Sequence, residues 1–124
     1  MFSLKRLKNS FFDAFAGIRH VFLHEQNFRI QIFFGILAIL LMFIFDIKTW
    51  EKMIVFMMVI LVLVLELTNT VVETFINLLK PRMEIHAGII KDIMAGVVFI
   101  ASCGAAILGI IIFYPYFISL FGKL

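Results

Sequence analysis

Three apolar runs, from about Phe28 to Phe45, Trp50 to Leu79 and Ile93 to Phe121, set the strongest limit on what this chain can fold into. A helix needs about 20 apolar residues to cross the hydrocarbon core of a bilayer, and each run approaches or exceeds that length. Backbone N–H and C=O groups at that depth have no water to bind, so the runs must close their hydrogen bonds internally, as helices. Composition agrees: 64% of the 124 residues are hydrophobic, 15% are charged, and the mean hydropathy is +1.13. The expected fold is an all-α integral membrane protein, a single domain over residues 1–124 with three transmembrane helices. Three helices from so short a chain enclose little space, so an oligomer is expected.

Ahead of the first run, residues 2–23 place Leu4, Leu7, Phe11, Phe15, Ile18 and Phe22 three and four apart, with Lys5, Arg6, Lys8, Asn9 and Asp13 largely between them. That period describes an amphipathic helix, assigned to residues 1–24, lying at the membrane surface rather than in a soluble core. Lys5, Arg6, Lys8, Arg19, Arg29, Lys80, Arg82 and Lys91 precede the first run or fall between the second and third, whereas Lys48, Lys52 and Lys123 fall on the other side. The positive-inside rule then puts the N-terminus in the cytoplasm. Trp50, Tyr114 and Tyr116 suit an aromatic belt at the opposite interface. Pro81 is expected to end the second run and to open a short polar connection, KPRMEIHAGIIKD, before the third.

The net charge of +3 and the pI of 9.3 do not point to nucleic acid, because the charges sit at the ends of apolar runs and form no basic stripe with interleaved aromatics. Cys103, the only cysteine, lies within the third run and is expected to pack inertly, which excludes a disulfide framework within one chain. His20, His24 and His86 are scattered without H-E-x-x-H spacing, so they suit an interface better than a zinc site. The basic N-terminus is followed by Asp13, Arg19, Glu25 and Arg29, so no removable signal peptide is expected. Ala101, Ala105 and Gly109 stand four apart and are expected to allow close helix packing.

The second run carries the informative exceptions. At 100° per residue, Glu66, Asn69, Glu73 and Asn77 fall at 0°, about 300°, about 340° and about 20°, one narrow polar stripe on a greasy helix. A carboxylate at membrane depth costs several kcal/mol unless paired, hydrated or neutralised, so the stripe must face protein or a wet cavity. Interhelical hydrogen bonding in an oligomer is one use for it, and chemistry is the other. Two ionisable groups on one stripe favour chemistry. Glu73 lies ~10 Å nearer the cytoplasmic end than Glu66, within reach of an aqueous metal and phosphate, while Glu66 sits at the depth of a lipid head group or a proton path. Glu25, Arg29, Lys91 and Asp92 approach the same boundary.

Glu25 and Glu73 together could hold Mg²⁺, which takes hard oxygen ligands from one or two carboxylates plus substrate phosphates. Lys91 would neutralise phosphate charge, and Glu66, desolvated, could accept a proton from a lipid alcohol. These parts add up to phosphoryl transfer from a nucleotide to a membrane alcohol. No G-x-x-x-x-G-K-[ST] loop or protein-kinase motif set occurs, so ATP would be bound by another route. A proton-coupled small transporter is a second use for the glutamates, although it needs no phosphate cradle at the boundary.

The motif E-x-x-N-[ST]-x-x-E occurs as Glu66-Leu-Thr-Asn69-Thr70-Val-Val-Glu73, preceded by Gly17-Ile18-Arg19, Glu25-Gln-Asn-Phe28-Arg29 and Trp50-Glu51, and followed by Lys91-Asp92 with Ala95-Gly96. In these residues the chain resembles the small prokaryotic membrane lipid kinases, the diacylglycerol kinase and undecaprenol kinase family, over nearly its whole length. The resemblance implies a homotrimer in the bacterial inner membrane, with active sites shared between protomers. It implies Glu66 as catalytic base, Glu25 and Glu73 as Mg²⁺ ligands, Arg6, Asn69, Lys91 and Asp92 around ATP, and the lipid entry along Arg19, Asn27, Arg29 and Gln31 with Ala95 beside it. Family members usually carry Asp at Asn77 and His at Glu84, departures that bear on the Glu73 site and on nucleotide contacts and that admit an inactive homologue as an alternative. The E-x-N-F-R-I run, the L-K-P turn and the aromatic-Pro pair Tyr114-Pro115 look more like the undecaprenol kinase branch than the diacylglycerol branch.

Overall fold

A computed structural model describes residues 1–79, 82 and 84–123 of the chain. It contains four helices: α1 Leu4–His24, α2 Gln26–Ile44, α3 Thr49–Leu79 and α4 Glu84–Gly122. Three of them, Gln26–Ile44, Thr49–Leu79 and Ile85–Gly122, are long and apolar enough to cross a membrane. Lys80 and Pro81, expected to close the second run, lie outside the described residues, as does the side chain of Glu84.

The largest correction concerns α4. The connection expected to run to Asp92 is already helical from Glu84, nine residues before the expected start of the third run. At ~1.5 Å per residue its 39 residues span roughly 58 Å, almost twice the hydrocarbon core, so a polar first quarter costs nothing if it stands in the aqueous interface. Apolar patterning marks where lipid begins, whereas helix continues wherever backbone bonding is uninterrupted.

α1 and α2 part at Glu25, whose extended backbone (φ −114°, ψ 111°) caps both helices while its N–H donates to the Val21 carbonyl at 2.8 Å. Arg29 reaches back so that its Nη1 donates to the carbonyl of Phe22 at 2.7 Å, a cation on the exposed carbonyls ending α1. Along α1 only Val21 is buried, and Leu4, Phe11 and Phe15 remain exposed.

At the other end of α2, Asp46 adopts a left-handed φ of 50° and turns the chain into α3. Glu51 accepts from the backbone N–H of Lys48 at 3.1 Å, the reciprocal half of a helix-start box, and also from the Tyr116 hydroxyl at 2.5 Å, which ties α4 to α3. Met42, Ile47, Val55, Ile112 and Phe113 form the buried core around this turn. Trp50 and Tyr114 stay exposed at the same end, in keeping with an aromatic belt.

α3 is the central element: α2 and α4 both pack on it, and α1 touches α2 and α3. Gly35 lets α2 come close, since a Cβ there would lie 3.0 Å from Val59 Cγ1. Between α2 and α4 a crevice of about 710 Å³ remains, lined almost entirely by apolar side chains. Ala105 and Gly109, the small residues of α4, line this crevice. Cys103, expected to be packed, is exposed on α4.

Candidate functional site

The polar stripe of α3 forms as its periodicity requires, and its members differ in burial. Glu66 is only 1% exposed, the largest fully buried side chain among the described residues. Asn69 and Glu73 are half-buried, and Asn77 is exposed. The threonines between them make no demand on the site, because Thr68, Thr70 and Thr74 return their hydroxyls to the carbonyls of Val64, Glu66 and Thr70.

Glu66 has one side-chain partner on a neighbouring helix: Gln31 Nε2 of α2 donates to its Oε2 at 3.1 Å. Gln31 also lines the crevice between α2 and α4, so the apolar cavity ends beside the buried carboxylate.

A second, polar cavity of about 250 Å³ opens one turn along α3, lined by Asn69, Glu73, Lys91, Asp92 and Ala95 with Val72 and Met94. It forms because the early start of α4 carries Lys91 and Asp92 along the Leu79 end of α3. Lys91 Nζ donates to Asn77 Oδ1 at 3.0 Å, so the ammonium is held at the cavity by a neutral amide.

The structure therefore brings together Glu66, Gln31, Asn69, Glu73, Lys91, Asp92 and Ala95, with Glu25 at the adjoining break between α1 and α2. Ala95, expected at the lipid side, lines the polar cavity. Arg29 is engaged by the end of α1. Arg6, Arg19 and Asn27 are exposed and line neither cavity. His20 and His24 stack at 4.3 Å with His24 Nδ1 on the His20 carbonyl, and His86 is exposed.

Among the described residues no group of three or more His, Cys, Asp or Glu could hold a metal. Glu25, at the break between α1 and α2, and Glu73, on the polar cavity, offer two carboxylates. That is too few for a closed protein cage and of the kind that Mg²⁺ accepts when phosphate and water complete its shell.

Sequence reasoning did not foresee the Gln31–Glu66 bond or two further contacts. The Lys91–Asn77 bond crosses from α3 to α4, and no single-helix period signals it. The Glu51–Tyr116 bond joins residues 65 apart, although an acid three positions into α3 was a readable start signal.

Comparison with known proteins gives a consistent result. The family described as prokaryotic diacylglycerol kinase matches residues 13–113. A diacylglycerol kinase of Synechocystis is 32% identical over 112 residues, 90% of this chain and 64% of that protein, so the chain spans somewhat less than two thirds of it. An undecaprenol kinase of Bacillus subtilis is 30% identical over 112 residues, 90% of this chain and 91% of that protein.

Proposed function

The chain belongs to the prokaryotic diacylglycerol kinase family, and we propose that it is an ATP- and Mg²⁺-dependent lipid kinase that converts undecaprenol to undecaprenyl phosphate at the cytoplasmic face of the bacterial inner membrane. One observation carries this reading: Glu66 is buried and bonded to Gln31 of the apolar crevice, and it stands one helical turn before Asn69 of a small polar cavity that also holds Glu73, Lys91 and Asp92. A phosphoryl transfer from a water-soluble donor to a lipid alcohol needs that junction of unlike environments.

In this mechanism the lipid alcohol lies in the crevice with its hydroxyl at Glu66. The hydroxyl oxygen bonds to the γ-phosphorus of ATP as the bond from that phosphorus to the bridging oxygen of ADP breaks, and the hydroxyl proton passes to Glu66. Lys91 balances phosphate charge, and Asn69 and Asp92 hold the nucleotide in the polar cavity. Glu25 and Glu73 would hold Mg²⁺, which when bound neutralises the triphosphate. Arg6 would reach phosphate from the surface helix, and Arg19, Asn27 and Arg29 would border lipid entry. Assembly as a homotrimer, N-terminus in the cytoplasm, would close the exposed cavities.

The match to 91% of an undecaprenol kinase, together with the E-x-N-F-R-I run, supports undecaprenol. Diacylglycerol is the second substrate to test, since the Synechocystis relative is a diacylglycerol kinase. A transporter is not favoured in a family of kinases. The experiment is transfer from ATP and Mg²⁺ to each lipid alcohol in mixed micelles. Faster turnover of undecaprenol is expected, faster turnover of diacylglycerol would select the second substrate, and inertness toward both would overturn the kinase reading.

A further inference from the structure

We propose that Gln31 is the positioning residue for Glu66, its amide holding one oxygen of the base while its own carbonyl oxygen receives the hydroxyl of the incoming lipid alcohol; this rests on the kinase reading above. An ionised carboxylate can only accept hydrogen bonds, so the Gln31 amide must turn its nitrogen toward Glu66, as observed at 3.1 Å. The carbonyl oxygen then points away, and Gln31 Oε1 is buried with no hydrogen-bond partner among the described residues. A buried acceptor left empty is costly and calls for a donor that arrives with function. Because Gln31 stands at the Glu66 end of the apolar crevice, an arriving ligand there is mostly hydrocarbon. The one donor that a lipid alcohol brings is its O–H.

One neutral amide thereby does two things that no purely apolar or purely anionic side chain can do together. Its N–H fixes the rotamer of a carboxylate that has no other side-chain partner among the described residues. Its C=O marks the place of the hydroxyl and discriminates against lipids that lack a donor. The proton still ends on Glu66, with the bonds made and broken as given above.

The test uses the full chain in mixed micelles with ATP, Mg²⁺ and undecaprenol or diacylglycerol, whichever the wild-type protein turns over. Gln31→Leu removes donor and acceptor at nearly constant volume and is expected to lower kcat by about 10- to 100-fold with the KM for ATP unchanged. Gln31→Glu keeps an acceptor and offers a donor only when it is protonated, and is expected to recover less kcat than a neutral donor–acceptor side chain. Gln31→His restores one donor and one acceptor on a neutral ring, and is expected to recover most of the lost kcat. Helical content and thermal unfolding should match wild type in all three, since a merely structural role would move those and not the pattern of rescue. An active wild type with Gln31→Leu at full kcat, or a Gln31→His no better than Gln31→Leu, would overturn the role of Gln31 alone. A wild type inert toward every lipid alcohol would overturn the kinase reading and this inference with it.

Discussion

Lys91 offers the sharpest electrostatic prediction, because its partner at 3.0 Å is a neutral amide. Asn77→Asp would set a negative charge on an ammonium that the proposal reserves for ATP. Two unit charges 3 Å apart attract by roughly 1.4 kcal/mol in a medium as polar as water. The pair is exposed, so mobility and counter-ions reduce the usable part to about 1 kcal/mol or less. ATP phosphate must compete with that carboxylate, and 1 kcal/mol is about a fivefold change in an equilibrium constant. The expected result is a KM for MgATP raised about two- to fivefold with kcat nearly unchanged, measured at saturating lipid. The difference should shrink between low salt and about 0.5 M salt, because screening acts on exposed charges. A KM that does not move, or a kcat that falls at constant KM, would refute the idea that Asn77 keeps the Lys91 charge available.

Two further outcomes follow from other parts of the fold. Tyr116→Phe removes the donor to Glu51, which is 8% exposed and keeps only the Lys48 N–H among the described residues, so stability should fall by about 1 kcal/mol in a detergent unfolding titration, with the proposed activity unchanged because the pair lies at the far end of α3 from the site. Glu25→Gln and Glu73→Gln should each raise the Mg²⁺ concentration for half-maximal activity at least ~10-fold, and an unchanged Mg²⁺ titration would remove that residue from the metal site.

Much of the architecture was legible because lipid imposes simple rules. Runs of apolar residues placed α2 and α3 to within about two residues, and the 100° period gathered Glu66, Asn69, Glu73 and Asn77 before any contact was known. The start of α4 was not legible, because hydropathy records the solvent a helix suits and not its backbone bonding, and the more polar stretch from Glu84 to Asp92 is helical all the same. Nor could the sequence show that Ala105 and Gly109 border an open crevice, since small residues permit close approach without requiring it. The two bonds that define the site, Gln31 to Glu66 and Lys91 to Asn77, depend on the rotation of one helix against another. A one-helix period is blind to that rotation.

The central claim is that Glu66 takes the proton of a lipid alcohol, and Glu66→Gln tests it most directly. Glutamine keeps the shape of the side chain and its place beside Gln31, and it cannot accept the proton. Transfer of radiolabelled γ-phosphate from ATP to the lipid alcohol should fall by about 10²- to 10⁴-fold, with helical content and ATP binding retained. Transfer at the wild-type rate would contradict the assignment.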